Sequence, residues 1–220
     1  MTPALLPIFA TPFASVSLPQ VRDLHPALVQ LIAGRSTPAN RDPLYHQDPL
    51  CYRSREELFE WPDAAAAVLR QQMLAGICRT VMAANLYSQA EFDALTLQAR
   101  ARFAIVKPNG ALAAADLPLT SWCGIYCIAA PAAVPARGDS AALRLYETRM
   151  ANMFMDASTY RLRQPFSHGH YVWRPVPGEM AVFPGSILHE VALNRGDGEL
   201  WLVLARARFA APGMEGLPPW

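Results

Sequence analysis

The chain has 220 residues, of which 52% are hydrophobic and 17% charged, enough apolar mass for one buried core and too much for long disordered tracts. Its 19 basic and 18 acidic side chains nearly cancel to a net charge of +1, so it carries no electrostatic footprint for nucleic acid or an anionic membrane surface. No apolar stretch approaches the roughly 20 residues of a membrane-spanning helix, and residues 1–18, broken by Pro3, Pro7 and Pro12, read poorly as a secretory leader.

The first element in chain order is an extended opening strand within residues 5–18, with prolines that suit an edge position. Residues 21–34 carry apolar side chains at helical spacing and end at Gly34. Residues 36–53 are rich in Pro, Asp and Asn and read as loop, and residues 56–61 as a short helical turn. Pro62 and Asp63 open a long helix to about Met82. Ser88, with Glu91 three residues on, gives a capping box for a further helix through about Leu97.

From Ala101 the pattern changes. Seven apolar runs, at 102–107, 122–129, 143–147, 168–173, 180–183, 188–193 and 200–209, are separated by Pro, Gly, Asn or Asp, as an antiparallel barrel or jelly roll requires. The expected fold class is α+β, a single domain over 1–220. Residues 1–100 give mainly helical support with the opening strand, and residues 101–210 give a β core with the helices packed on one face.

Cys51, Cys78, Cys123 and Cys127 are spaced by 27, 45 and 4 residues, which matches neither a zinc ribbon nor a compact disulfide framework. They read as reduced thiols of a cytoplasmic protein. Cys123 and Cys127 share one strand face about 13 Å apart, too far to bridge or to hold one metal. His168-Gly-His170 puts two imidazoles on one strand face, a workable metal pair. The Met-rich run 150–155 reads as a flexible core flap.

Several segments carry a resemblance. They are Ile8-Phe-Ala-Thr-Pro-Phe13, Ile105-Val-Lys-Pro-Asn-Gly110, Pro118, Cys123-Gly-Ile-Tyr-Cys-Ile128, Leu143-Arg-Leu-Tyr-Glu-Thr-Arg149, Phe183-Pro-Gly-Ser186, His189 and Leu200-Trp-Leu-Val203. At these spacings the chain resembles the 2OG-Fe(II) oxygenase family of bacterial proteins. The resemblance implies a double-stranded β-helix (jelly roll) core, with Fe(II) and 2-oxoglutarate as cofactors and oxidoreductase chemistry of the dioxygenase type.

It also implies where the chemistry should sit. His189 falls on the distal metal-ligand position and Tyr126 on a cofactor-pocket aromatic. Ala115 and Leu117 fall where two histidines are expected, and Leu200 falls on the 2-oxoglutarate arginine. A non-haem iron that activates oxygen uses two His and one carboxylate on one face, and a 2-oxoglutarate carboxylate needs a fixed cation. Arg206 and Arg208 share the strand face of Leu200, at some 20 Å or more along an extended strand.

Three readings follow. In one, the chain is a pseudoenzyme or non-standard oxygenase, binding a small-molecule ligand or a protein partner in the barrel. In another, an active oxygenase uses a rearranged metal site drawn from His168, His170, His189 and Asp116. In the third, the fold is an interaction module using residues 44–53 or its helical face, since function resides in sites rather than scaffolds.

Overall fold

The computed structural model describes residues 7, 10–45, 47–135, 137–147, 162, 164–167, 169–214, 218 and 220. Two antiparallel sheets face each other. The larger has the order β1(Ala14–Ser17), β8(Glu179–Pro184), β5(Trp122–Ala129), β10(Leu200–Ala210), β3(Thr96–Val106) and β2(Cys51–Arg53). The smaller has the order β4(Leu112–Ala115), β9(His189–Val191), β6(Leu143–Tyr146) and β7(His170–Trp173). Strands β3 to β10 pass between the two sheets and form a double-stranded β-helix, as the sequence pattern led us to expect.

Side-chain alternation divides the core in two. One face of the larger sheet buries Cys123, Ile125, Cys127, Ala104, Val106, Leu200 and Leu202 against Leu143, Leu145, Trp173 and Val191 of the smaller sheet. The opposite face buries Tyr126, Ile128, Phe103, Ile105, Val203 and Val182 beneath the helices. The helical layer is α1(Pro19–Arg22), α2(His25–Arg35), α3(Ala64–Ala84) and the short α4(Gln89–Asp93).

The long helix α3 turns Leu69, Met73, Ile77 and Val81 inward at three- and four-residue spacing. It approaches closely because Gly124 on β5 has no side chain: a Cβ there would stand 3.1 Å from Ile77 Cδ1. Phe103 anchors this layer, fully buried, with the ring of Tyr52 stacked on it at 5.3 Å and that of Trp61 edge-on at 5.8 Å. Among the described residues no helix is long and apolar enough to cross a membrane.

Several elements differ from their sequence expectation. Residues 21–34 form two helices, because Pro26 lies in the first turn of α2 and starts it afresh after Asp23. The Ser88 capping box is present, with both reciprocal bonds, yet its helix ends at Asp93. Thr96 onward is recruited into β3, paired along its whole length from Thr96↔Ala210 to Val106↔Leu200. Two short strands, β2 and β4, arise in segments without strand signals. The Met-rich run 150–155 and Arg149 lie outside the described residues.

Candidate functional site

His189 opens β9 at one end of the smaller sheet, in register with Ala115 of β4 on one side and Leu145 of β6 on the other. Register partners share a face, and Leu145 belongs to the inter-sheet core, so His189 and Ala115 both turn toward the barrel. Between Leu112↔Val191 and Ala115↔His189 strand β4 carries one residue more than β9. This bulge leaves Ala113 and Ala114 exposed and restores Ala115 to the barrel side. Leu117 also packs on the barrel core, and its N–H donates to the carbonyl of Gly185 at 2.9 Å.

The imidazole of His189 is 7% exposed and stands edge-on to the Phe183 ring at 5.0 Å. Its Nδ1 lies 2.8 Å from the carbonyl of Ile187, which can only accept, so Nδ1 carries the proton and Nε2 holds the free lone pair. Burial lowers its pKa, against the pull of the Ile187 carbonyl; the charge of Arg53 lowers it further and that of Asp116 opposes. The ring is therefore neutral at pH 7. Such a backbone-oriented imidazole is posed as metal-binding histidines usually are.

Asp116 follows the alternation, exposed and directed away from Ala115 and Leu117, and reaches His189 only through its field. Glu190 faces outward as well, accepting from Arg144 at 2.8 Å and Tyr146 at 2.7 Å. His170 is paired with Tyr146, its ring tilted against that of Tyr146 at 5.8 Å, and is exposed on that same outer face. The structure thus sets His170 and His189 on opposite faces of the smaller sheet, because the two positions have opposite strand phase. His168 lies outside the described residues. Among the described residues no three His, Cys, Asp or Glu side chains are grouped to hold a metal ion.

Two further expectations meet the structure at β5 and β10. Tyr126 does not line the barrel. It is 0% exposed on the helix-facing side, where its hydroxyl lies 2.7 Å from His25 Nε2 of α2. Strand phase again decides this: Cys123, Ile125 and Cys127 take the barrel side, which sends Tyr126 to the other. Burial pushes the Cys123 and Cys127 thiols up to about 12, so they stay protonated core side chains. Leu200 is 0% exposed inside the barrel.

A group of charged residues was not anticipated. Arg53 of β2 is in register with Ala104 of β3, which is in register with Leu202 of β10, so Arg53 is on the barrel side. Arg102 and Arg206 follow on the same face by alternation. Asp42 and Glu56 pair with Arg102, and Glu56 also accepts from Arg206 at 3.2 Å. The only sequence signal for Arg53 was the alternation Cys51-Tyr52-Arg53, hidden among prolines and aspartates. A cavity of about 260 Å³ also opens between Phe13, Tyr146, His170, Tyr171 and Ile187, with Leu145, the register partner of His189, in its wall.

The double-stranded β-helix of this chain is the fold of 2OG-Fe(II) oxygenases. The solved structures it is similar to include a Pseudomonas putida prolyl-4-hydroxylase, with 16% identity, TM-score 0.56, and coverage of 90% of this chain and 92% of that one. A prolyl hydroxylase from Trichoplax adhaerens, in complex with a hypoxia inducible factor peptide fragment, aligns at 9% identity and TM-score 0.58 over 96% and 88% of the chains. HygX from Streptomyces hygroscopicus, with nickel and 2-oxoglutarate bound, aligns at 11% identity and TM-score 0.55 over 90% and 83%. No family model matches the sequence, and no curated protein matches it.

Proposed function

We propose that this protein is a non-standard member of the 2-oxoglutarate oxygenase fold, one that binds a small-molecule ligand at the barrel mouth without the usual iron and 2-oxoglutarate machinery. The observation that carries the reading is the register pair Ala115↔His189. Facing strands there bring side chains within about 5 Å, where a second donor would complete a chelate, and the side chain present is a methyl group.

The donor set does not fit an iron centre of the two-imidazole, one-carboxylate kind. His189 supplies one lone pair, Ala115 and Leu117 supply none, and the exposed Asp116 carboxylate is directed away. Nor does the far end of the barrel fit 2-oxoglutarate, since Leu200 offers no donor and is sealed in the core. What supports ligand binding is a cavity of about 260 Å³ on the β6–β7 side of the barrel, with Leu145, the register partner of His189, in its wall. That volume is at the small end for a ligand pocket.

Anaerobic titration with Fe(II) and 2-oxoglutarate tests the reading. The expected outcome is no metal-to-ligand charge-transfer band and no iron affinity tighter than that of a lone imidazole. A band near neutral pH with micromolar iron affinity overturns it.

A further inference from the structure

The barrel-side face of β2, β3 and β10 carries Arg53, Arg102 and Arg206, with Arg100 and Arg208 further along the same face, and the carboxylates paired there are Asp42 and Glu56. Both carboxylates are engaged with Arg102 and Arg206, and Arg206 also stacks on Trp220 at 4.1 Å. The guanidinium of Arg53 makes neither a hydrogen bond nor an ion pair with any described residue, while the backbone carbonyl of Arg53 accepts from the Asp42 N–H at 2.9 Å. Its guanidinium lies over the Tyr45 ring at 3.7 Å, and its Nε is buried with no partner. A buried donor without a partner opposes folding; Arg206 Nε is also unpartnered, but its guanidinium already has Glu56, whereas that of Arg53 has no carboxylate.

We propose that Arg53 is the anchor for the carboxylate of a small, otherwise apolar acid that enters the barrel mouth between β2 and β4, with its body toward His189. The proposal rests on the reading of the barrel given above and names its ligand class. The stack on Tyr45 holds the guanidinium plane, which leaves its edge for a two-point contact with a carboxylate.

The guanidinium edge suits a two-point contact with a carboxylate, and the nearby Asp42 and Glu56 oppose a dianion such as phosphate. The wall beside Arg53 is aliphatic, with Ala104, Leu202, Val106 and Leu112 on the barrel side. Ala115, in register with His189, sets only a methyl group beside the imidazole. The charge of Arg53 already bears on the His189 imidazole, so a carboxylate seated on Arg53 also neutralises that influence.

The experiment compares hexanoate, hexanamide and inorganic phosphate by titration calorimetry on the full chain, with the Arg53 Nε–H and His189 imidazole followed by NMR. Hexanoate is expected to bind at least about tenfold more tightly than hexanamide, the size of effect a charge-assisted pair supplies. It should displace the Arg53 Nε–H resonance and raise the His189 pKa. Arg53→Met should lose hexanoate affinity by about tenfold or more, with no large fall in melting temperature, since the guanidinium has no ion pair to lose and the Met thioether can take its place over the Tyr45 ring. Arg53→Lys should retain part of the affinity.

Equal binding of hexanoate and hexanamide, tighter binding of phosphate, or an unmoved Arg53 resonance at saturation each overturns the proposal. The NMR observation uses the unsubstituted protein and stands even where a variant fails to fold. A positive iron and 2-oxoglutarate titration removes the underlying reading instead, so the two failures are separable.

Discussion

Tyr126→Phe separates a core role for this side chain from a pocket role. The substitution keeps the ring that fills the helix-facing core and removes only the hydroxyl, 2.7 Å from His25 Nε2. No cavity is created, so the cost is that of one hydrogen bond. A neutral bond of this kind contributes about 1 kcal/mol net, and leaving its partner unsatisfied adds up to about as much again. His25 is only half-buried and regains part of its hydration from solvent. The expected loss is therefore about 1–2 kcal/mol, which for a chain of this size lowers the melting temperature by about 2–8 °C.

Urea unfolding followed by circular dichroism measures this loss, and hexanoate affinity should be unchanged within error. A double-mutant cycle with His25→Ala should return a coupling of about 1 kcal/mol. An unaltered unfolding midpoint together with weakened hexanoate binding refutes the reasoning and returns Tyr126 to the ligand pocket.

Leu200→Arg supplies the cation that the family resemblance implies at the start of β10, but it buries an unpaired guanidinium at a fully buried site in the row next to Arg53. A destabilisation of about 3–5 kcal/mol is expected in chemical denaturation; wild-type stability would instead reveal a polar, accessible site at that end of the barrel. Stability should also fall on acidification. His25, through burial and then the nearby Arg22, and His189, chiefly through burial, both have folded pKa values below the ordinary 6.5. The unfolded chain thus binds more protons below about pH 6.5, and the loss accrues as pH falls from there toward the folded pKa values. Melting temperatures measured between pH 7.5 and 5, compared with those of a His25→Gln, His189→Gln variant, check this: the variant should lose less.

Much of the β-helix was legible because its strands are apolar runs closed by turn residues. β5 has the same limits in sequence and structure, residues 122–129, and β10 and β8 differ by a residue or so. What escaped was set by partners far along the chain. β4 is Leu-Ala-Ala-Ala, with little strand preference of its own, and exists because β9 pairs with it. Gly110, two residues before β4, lets the chain pass close to the segment ahead of β2: a Cβ there would sit 2.4 Å from the Leu50 carbonyl oxygen. β2 is three residues long and borrows its conformation from β3.

The site shows the same division. The position of His189 and the directions of Asp116 and Glu190 follow from local alternation. The face taken by Tyr126 depends on which side of the larger sheet the helices cover, and strand phase alone does not tell the two sides apart. His170 needed the same missing knowledge, the register of β6 against both β7 and β9.

The electrostatics of the mouth bear on whether the barrel is simply a filled core. Such a barrel would do best with no charge on its inner face, because an unpaired buried cation opposes folding and is readily lost to substitution. Leu200, Leu202, Ala104 and Val106 fit that expectation, yet Arg53, in register with Ala104 and so two strands from Leu202, does not. Its nearest carboxylates are committed elsewhere, and Asp42, the closest of them, is held by Arg102. A side chain that costs stability when alone is accounted for by what it meets when the mouth is filled. Weak stability of the free protein and marked stabilisation by a carboxylate are then two consequences of one residue. If Arg53→Met raised the melting temperature of the free protein and abolished the stabilisation by hexanoate, both would be traced to that guanidinium. If the variant left both unchanged, Arg53 would be a solvated edge-strand arginine and the barrel mouth would have no charge preference.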